Sequence, residues 1–311
     1  VEQGHLARLA HLERSRPQRI GLAQDGRALR LNQAVPFIVT GAAMPSEILL
    51  ISVVAGALTF TGLKLRQQRQ YRRLRASQRD LVFRHGAALS LPDSLPSPLP
   101  DFQRRFAVVP EPLPVPAFEK LREAALRRRE TERSYFPTHK QGGTVAYENL
   151  HDLAPEIVAF YQSDYLRRLC SALIGEPVAP TPINDQSSCS LLFYDRPRDH
   201  INWHYDYNFY HGRHFTVLVP LVNRHLREDR LSSAQLVIRQ DGREVAIPTP
   251  PNTLIVFEGA RVFHKVTRLE ENELRVMLSM TFCTRPETSL IKSTLRRFKD
   301  IAYFGVRALW S

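Results

Sequence analysis

Three residues have the types and spacing of a transition-metal site: a histidine, a carboxylate two positions later, and a distant second histidine. His204 and Asp206 flank Tyr205, and side chains at i and i+2 of an extended strand project from one face. An imidazole and a carboxylate placed in this way can bind one cation side by side. His264, 60 residues after His204, would complete a 2-His-1-carboxylate facial triad, whose open positions suit non-haem Fe(II).

The His-x-Asp tripeptide is weak evidence by itself, because the chain has eleven histidines. A surface histidine and aspartate at a strand end would give the same pattern. The surroundings favour the metal site. His264 follows the apolar run Leu254-Ile255-Val256-Phe257 and a turn at Glu258-Gly259, as expected for a residue at the end of a buried strand.

An arginine follows His264 by eleven positions, within the alternating pattern ELRVMLSMTF. This alternation predicts a strand that is buried on one side. An arginine on the inward face of such a strand needs an anionic partner, since an unpaired buried charge is costly. The fork of Arg275 could bind one carboxylate of a dicarboxylate co-substrate through two hydrogen bonds. Lys265 and Arg268 are the next candidates for this role.

The order of these residues resembles the Fe(II)/2-oxoglutarate-dependent dioxygenases, and the spacing is most similar to the prolyl-hydroxylase-like branch. The resemblance covers roughly residues 180–284. It implies a double-stranded β-helix, a jelly-roll barrel with the metal near one mouth, flanked by helices in an α+β arrangement. It implies that His204, Asp206 and His264 bind iron and that Arg275 and Tyr194 contact 2-oxoglutarate.

The resemblance also implies the chemistry. Fe(II), 2-oxoglutarate and O2 would be required, with ascorbate as an optional addition, and oxidative decarboxylation to succinate and CO2 would drive oxidation of a C–H bond. Related halogenases have a small residue in place of the carboxylate. Asp206 is present here, so the resemblance favours hydroxylation or another C–H oxidation. The identity of the substrate does not follow from it.

Other side chains near the triad have open roles. Five aromatic residues could line a substrate pocket or fill the barrel, and alternation along a strand predicts some of each: Trp203, Tyr205, Tyr207, Phe209 and Tyr210. Three further histidines lie close in sequence, and we expect none of them to bind the metal: His200, His211 and His214.

Composition and charge limit the remaining possibilities. The three cysteines have no CxxC spacing, which disfavours a disulfide framework and favours a reducing compartment. The formal net charge of +12 could favour binding to nucleic acid, to an anionic membrane or to an acidic substrate. Much of it follows an apolar stretch directly, which favours lipid, and we expect no nucleic-acid partner.

The chain divides into six predicted segments. They are a basic arm (1–30), a hydrophobic membrane-associated segment (31–63), a basic juxtamembrane segment (64–88), a proline-rich linker (89–116), the dioxygenase domain (117–290) and a basic amphipathic helix (291–311). The arm is either flexible or includes a small hairpin about Asp25-Gly26. The linker is expected to be extended.

The hydrophobic segment contains Glu47 as its one charge, and Pro45 interrupts it. It could be a spanning helix kinked at Pro45, a re-entrant hairpin or a buried soluble helix. The basic residues that follow predict a catalytic domain on the cytoplasmic side of a membrane. The C-terminal helix has an apolar face that could lie on a membrane surface or pack on the domain.

Two alternatives from other classes remain at this point. The chain could be a membrane-tethered binding module that keeps the barrel without catalysis, although a complete triad with Arg275 argues against it. A nucleic-acid demethylase would fit the net charge, but the apolar segment argues against that function.

Overall fold

A computed structural model describes residues 46–127, 132–133 and 139–304. The chain divides into two compact units, residues 1–53 and residues 54–311. The predicted basic arm and the first part of the hydrophobic segment, 31–45, lie outside the described residues. The end of the predicted C-terminal segment, 305–311, also lies outside them.

Six helices and thirteen strands occur in the described part of the chain. The helices are α1 (Ser46–Leu89), α2 (Val115–Arg127), α3 (Tyr147–Leu153), α4 (Pro155–Tyr161), α5 (Asp164–Ile174) and α6 (Leu290–Phe304). The strands are β1 (Phe106–Pro110), β2 (Glu132–Arg133), β3 (Lys140–Gln141), β4 (Gly143–Val145), β5 (Ala179–Pro180), β6 (Cys189–Tyr194), β7 (His200–His204), β8 (His214–His225), β9 (Leu236–Gln240), β10 (Arg243–Ile247), β11 (Thr253–Phe257), β12 (His264–Val266) and β13 (Glu273–Cys283).

The strands form two antiparallel sheets. The larger has the order β1-β11-β8-β13-β6-β4-β2, with β5 added beside β13, and the smaller has the order β10-β9-β12-β7-β3. From β6 to β13 the chain alternates between the sheets, except at the β9–β10 hairpin. This alternation is that of a jelly roll, so the predicted antiparallel barrel core is confirmed in its sheet architecture.

The β9–β10 hairpin turns where the sequence predicted it. Asp241 and Gly242 have φ values of 50° and 78°. Positive φ at both central residues is the type I′ geometry, which matches the twist of the flanking strands.

The long central strands β8 and β13 are buried on both faces, and their alternation separates two cores. Side chains such as Val217, Val276 and Leu278 pack with the helices, while Leu218 and Met277 face the smaller sheet. Helices α2 to α5 therefore cover the outer face of the larger sheet. The inner faces of the two sheets enclose the second core.

The predicted linker over 89–116 includes a strand and buried side chains. Residues 106–110 form the edge strand β1, paired with β11 from Phe106↔Phe257 to Pro110↔Thr253. Leu89 and Leu113 are buried in the helical core. An edge strand tolerates proline because one of its sides needs no backbone donor, so proline density concealed a strand that alternates in burial.

Helix α6 packs on the domain by a different face from the apolar one that the sequence emphasised. Arg296 and Asp300 are buried, whereas Ile291, Leu295 and Phe298 are exposed. Buried polar groups near α6, Asp185 among them, supply partners for its charged side chains. A hydrophobic periodicity could not reveal these partners.

The hydrophobic segment is described only from residue 46 onward, where it forms the start of α1. Among the described residues, no helix has both the length and the apolar character that crossing a membrane requires.

Candidate metal and co-substrate site

The structure brings the three predicted metal ligands together. His204 ends β7 and His264 begins β12, and the two residues are direct partners in the antiparallel register. Asp206 follows β7. Nε2 of His204 lies 3.5 Å from Oδ1 of Asp206, and Nε2 of His264 lies 3.9 Å from the same oxygen. One ligand atom from each residue falls within 4.8 Å of the others.

Both imidazoles are oriented by backbone carbonyls. Nδ1 of His204 lies 2.8 Å from the Asn202 carbonyl, and Nδ1 of His264 lies 2.9 Å from the Val262 carbonyl. A carbonyl oxygen can only accept, so Nδ1 carries the proton and Nε2 keeps its lone pair for a metal. Two such nitrogens and one carboxylate are a donor set that fits Fe(II).

Asp206 is fixed from two further sides. Thr216 of β8 donates its hydroxyl to Oδ2 of Asp206, and the Asp206 amide donates to the Gly259 carbonyl over 3.0 Å. A Cβ at Gly259 would lie 2.6 Å from both Cβ and Oδ2 of Asp206. Glycine is therefore required at this turn by the carboxylate itself, a requirement that sequence reasoning did not identify.

The electrostatics favour a negative carboxylate between two imidazoles. Burial would raise the pKa of Asp206, but the charges and hydrogen bonds of His264, His204 and Thr216 lower it well below its usual range. Burial, followed by the charge of His204, lowers the pKa of His264. A neutral imidazole is the form that binds a metal.

The triad lines a cavity of about 360 Å³ between the two sheets. A volume of this size suits a small-molecule site. Apolar residues from both sheets, including Ile201, Leu218 and Met277, form much of its wall. Arg275 and Tyr194 also line it, so all five predicted site residues share one cavity.

Arg275 lies on β13 and is only 1% exposed. Its Nη1 donates to the Ala234 carbonyl, and its Nε has no partner among the described residues. None of the ion pairs formed by the described residues includes it. Burial lowers the pKa of Arg275 to about 10, so the side chain is still a cation at neutral pH, in a place where a carboxylate could bind.

Tyr194 is the direct register partner of Arg275 across β6 and β13. It is buried, and burial raises the pKa of its phenol. The two other basic residues that were candidates for binding the co-substrate carboxylate do not line the cavity. Lys265 pairs with Glu244 over 2.9 Å, and Arg268 is exposed.

The aromatic residues divide between the two expected roles, but strand alternation does not explain the division, because β7 ends at His204. Tyr205, Tyr207 and Phe209 line the cavity. Trp203 instead stacks on Phe263, with ring centroids 4.9 Å apart, and Tyr210 is buried against Asp185 over a 2.7 Å hydrogen bond.

The three other histidines are not part of the metal cluster in the described part of the chain. His200 contacts the Arg198 carbonyl through Nδ1 over 2.7 Å, and His211 is exposed. His214 is buried and lines the cavity.

Two neighbouring residues of the site were missed because their segment resembled a loop. His139 has its ring 5.5 Å from that of His204. Lys140 of β3 is buried in the cavity wall, donates to Thr144 over 3.0 Å, and has a pKa lowered by burial to about 8. Their weak sequence signal was the adjacent Gly142-Gly143. Gly142 has φ 154°, and a Cβ there would lie 3.0 Å from the Phe193 carbonyl.

A second missed contribution comes from α6. Lys299 reaches the cavity wall and lies 3.3 Å from Oδ1 of Asp185 and 3.3 Å from Oδ1 of Asp300. Asp185 lies more than a hundred residues earlier in the chain, so no local pattern could have connected these groups.

Comparison with known proteins gives similarity at the level of structure only. No protein-family model matches the chain, and no curated protein matches it. A 2OG-Fe(II) oxygenase family oxidoreductase from Burkholderia pseudomallei is 15% identical over 60% of this chain and 89% of its own, with a TM-score of 0.48. A Trichoplax adhaerens prolyl hydroxylase in complex with a hypoxia inducible factor peptide is 16% identical over 72% and 95%, with a TM-score of 0.45.

A prolyl-4-hydroxylase from Pseudomonas putida is 18% identical over 58% of this chain and 92% of its own, with a TM-score of 0.42. These three structures are of an oxidoreductase of the 2OG-Fe(II) oxygenase family and of two prolyl hydroxylases. In structure this chain resembles the Fe(II)/2-oxoglutarate-dependent oxygenases, prolyl hydroxylases among them.

Proposed function

We propose that this chain is an Fe(II)- and 2-oxoglutarate-dependent dioxygenase that hydroxylates a C–H bond of a substrate near a membrane. One observation carries the proposal. A 2-His-1-carboxylate cluster and a deeply buried arginine, which no carboxylate of the described residues neutralises, face the same cavity.

The site residues would have two separate roles, metal binding and co-substrate binding. His204, Asp206 and His264 would hold Fe(II), and Arg275 would bind the distal carboxylate of 2-oxoglutarate beside Tyr194. When bound, Fe(II) with O2 and 2-oxoglutarate would supply the oxidation, in which one oxygen atom goes to succinate as CO2 is lost and the other enters the substrate C–H bond.

The alternative is a binding module that keeps the barrel without catalysis. Conversion of 2-oxoglutarate to succinate by the full-length chain distinguishes the two. The dioxygenase predicts Fe(II)-dependent succinate release that Asp206→Ala abolishes, and ascorbate is tested as an addition. His214→Ala is the matched control, since His214 lines the same cavity outside the cluster.

Absence of succinate release from an iron-loaded, folded chain, with lipid extracts, peptides and amino acids each supplied as substrate, would favour the binding module. Equal release by Asp206→Ala and by the unchanged chain would show that the cluster is not the site of the reaction.

The membrane part of the proposal is supported by the sequence of 31–63 and the basic run after it. Within α1, Val54, Leu58 and Phe60 are exposed. We propose that this region associates with a membrane and that the catalytic domain is cytoplasmic, because Lys and Arg collect on that side of an apolar segment. Fractionation tests this, since full-length chain in the soluble fraction without detergent would contradict it.

A further inference from the structure

Helix α6 uses its polar side to bind the catalytic domain. Arg296 and Asp300 are 2% and 3% exposed, and Lys299 pairs with Asp185 over 3.3 Å. Lys292 donates to the Tyr210 carbonyl over 3.0 Å. These contacts fix which side of the helix faces outward.

The outward side is apolar. Ile291, Leu295 and Phe298 are 75%, 46% and 64% exposed. They lie four and three positions apart, which places them on one stripe of the helix. Single exposed apolar residues are ordinary on protein surfaces, but a continuous stripe of large ones marks an interaction surface.

Helix α1 adds further apolar and basic residues. Leu58, Phe60 and Leu65 are 68%, 62% and 51% exposed. Between residues 54 and 79 the sequence has no acidic residue, and several arginines are exposed: Arg66, Arg69, Arg72, Arg73, Arg75 and Arg79. Burial and then the charge of Arg297 on α6 lower the pKa of Lys64 on α1.

Helix α6 also borders the cavity through Lys299. The ammonium group of Lys299 lies 5.1 Å above the ring of Phe209, and the rings of Phe209 and Tyr207 are 4.5 Å apart. Tyr207 and Tyr205 line the cavity and are 59% and 55% exposed. An aromatic rim at the cavity therefore continues, through Phe209, to the inner side of α6.

We propose that the outer stripe of α6, together with residues 54–79 of α1, docks the catalytic domain on an anionic lipid bilayer, so that the cavity takes an amphiphilic substrate from the lipid surface. Apolar side chains enter the head-group boundary, and exposed arginines pair with anionic lipids. The docking does not depend on the proposed function, whereas the substrate class rests on it.

Charge favours lipid over a second copy of the chain. A symmetric dimer through this surface would bring two arginine-rich segments of the same sign together, which is unfavourable. An anionic bilayer neutralises that charge instead. Interfacial tyrosines such as those at the cavity rim are also common where a protein meets lipid head groups.

The cysteines make a site-specific test possible in the full-length chain. Cys170, Cys189 and Cys283 are all buried, so an introduced surface cysteine reacts selectively with an environment-sensitive fluorophore. Phe298→Cys reports the α6 stripe. Leu226→Cys, at a site that is 53% exposed in the loop after β8, is the matched control.

The labelled chains are mixed with vesicles of phosphatidylcholine alone or with added phosphatidylglycerol. We expect a blue shift at position 298, quenched by a lipid-borne quencher, on anionic vesicles and not at position 226. Leu295→Glu in the Phe298→Cys background should lower the affinity for anionic vesicles, as titrated by this blue shift, about tenfold. This is the effect of withdrawing one leucine from lipid. Leu226→Glu should leave it unchanged.

Two outcomes would overturn the docking. One is an unshifted label at 298 on vesicles that sediment with the protein. The other is a shift that appears without lipid as the protein concentration rises, which would indicate a second copy. The readout needs no iron, so failure of succinate release leaves it interpretable. Full succinate release with an unshifted label would refute the docking alone.

Discussion

Two of the cationic side chains that line the cavity, Lys299 and Arg275, differ in what neutralises them. Lys299 has two carboxylates, Asp185 and Asp300, each 3.3 Å from its ammonium group. Arg275 is more deeply buried, yet the described residues give it only the Ala234 carbonyl. Burying a charge without a counter-charge is costly, so the fold neutralises one cation itself and leaves the other to a ligand.

This difference separates a structural cation from a binding cation. Lys299 attaches α6 to the domain, and its removal should lower the free energy of unfolding. Arg275 contributes little to the stability of the empty protein, and its removal should lower the affinity for an anion. The predictions below test this division, in order of expected size.

Arg275→Leu should weaken 2-oxoglutarate binding by about 2–5 kcal/mol, which is tens-fold to thousands-fold. The reason is the loss of a buried, charge-assisted pair with a carboxylate. Calorimetric titration of the iron-loaded protein without oxygen measures it. Arg268→Leu, at an exposed arginine of the neighbouring loop, is the control, and an unchanged curve for Arg275→Leu would mean that another group holds the anion.

Lys299→Met should show the opposite pattern. Removing the cation leaves the buried carboxylates of Asp185 and Asp300 with only Arg296 as a neighbouring cation among the described residues, at a cost on the order of 3 kcal/mol of unfolding free energy. Urea denaturation measures it, with Arg275→Leu as the matched comparison of unchanged or higher stability. A destabilised Arg275→Leu beside an unaffected Lys299→Met would reverse the assignment of roles.

The carboxylate pair beside Lys299 should also make stability depend on pH. Burial raises the pKa of Asp300 to about 6, against the attraction of Lys299 and Arg296. Because this folded pKa lies above the unfolded value of about 4, the contribution is fully present below about pH 4 and is lost as the pH rises through 6.

Asp300→Asn removes this titration. The stability of the unchanged chain relative to Asp300→Asn should therefore fall by about 2–3 kcal/mol between pH 4 and pH 7. Urea denaturation across that range measures it. A difference that stays constant, or that grows with pH, would show that Asp300 is ionised throughout.

Gly259→Ala tests how tightly the metal centre is built. The added Cβ would press on Asp206 from 2.6 Å, so the carboxylate must move. Metal affinity should fall about 10–100-fold, as for other changes next to metal ligands, and Fe(II) titration measures it. Gly86→Ala, where a Cβ meets nothing within 4 Å, should leave Fe(II) affinity as it is.

The candidate metal ligands were easier to recognise in the sequence than the residues around them, and the reason is physical. His204, Asp206, His264 and Arg275 lie on or next to strands whose alternation is visible locally, and the family resemblance supplied their order. Lys299 was missed because its partner Asp185 is remote in the sequence.

Two other features depend on more than apolar or proline-rich patterns. Helix α6 packs by buried ion pairs, so its periodic apolar stripe faces outward. Residues 106–110 form an edge strand, where Pro110 costs no backbone hydrogen bond that the sheet needs. In both cases the partners come from distant parts of the chain, which one segment cannot reveal.

The most direct test of the central claim is Fe(II) stoichiometry in the full-length chain, measured without oxygen. The account predicts one Fe(II) per chain, lost in His204→Ala and in His264→Ala but kept in His214→Ala, whose histidine lines the same cavity. Full iron stoichiometry in both His204→Ala and His264→Ala would contradict the account.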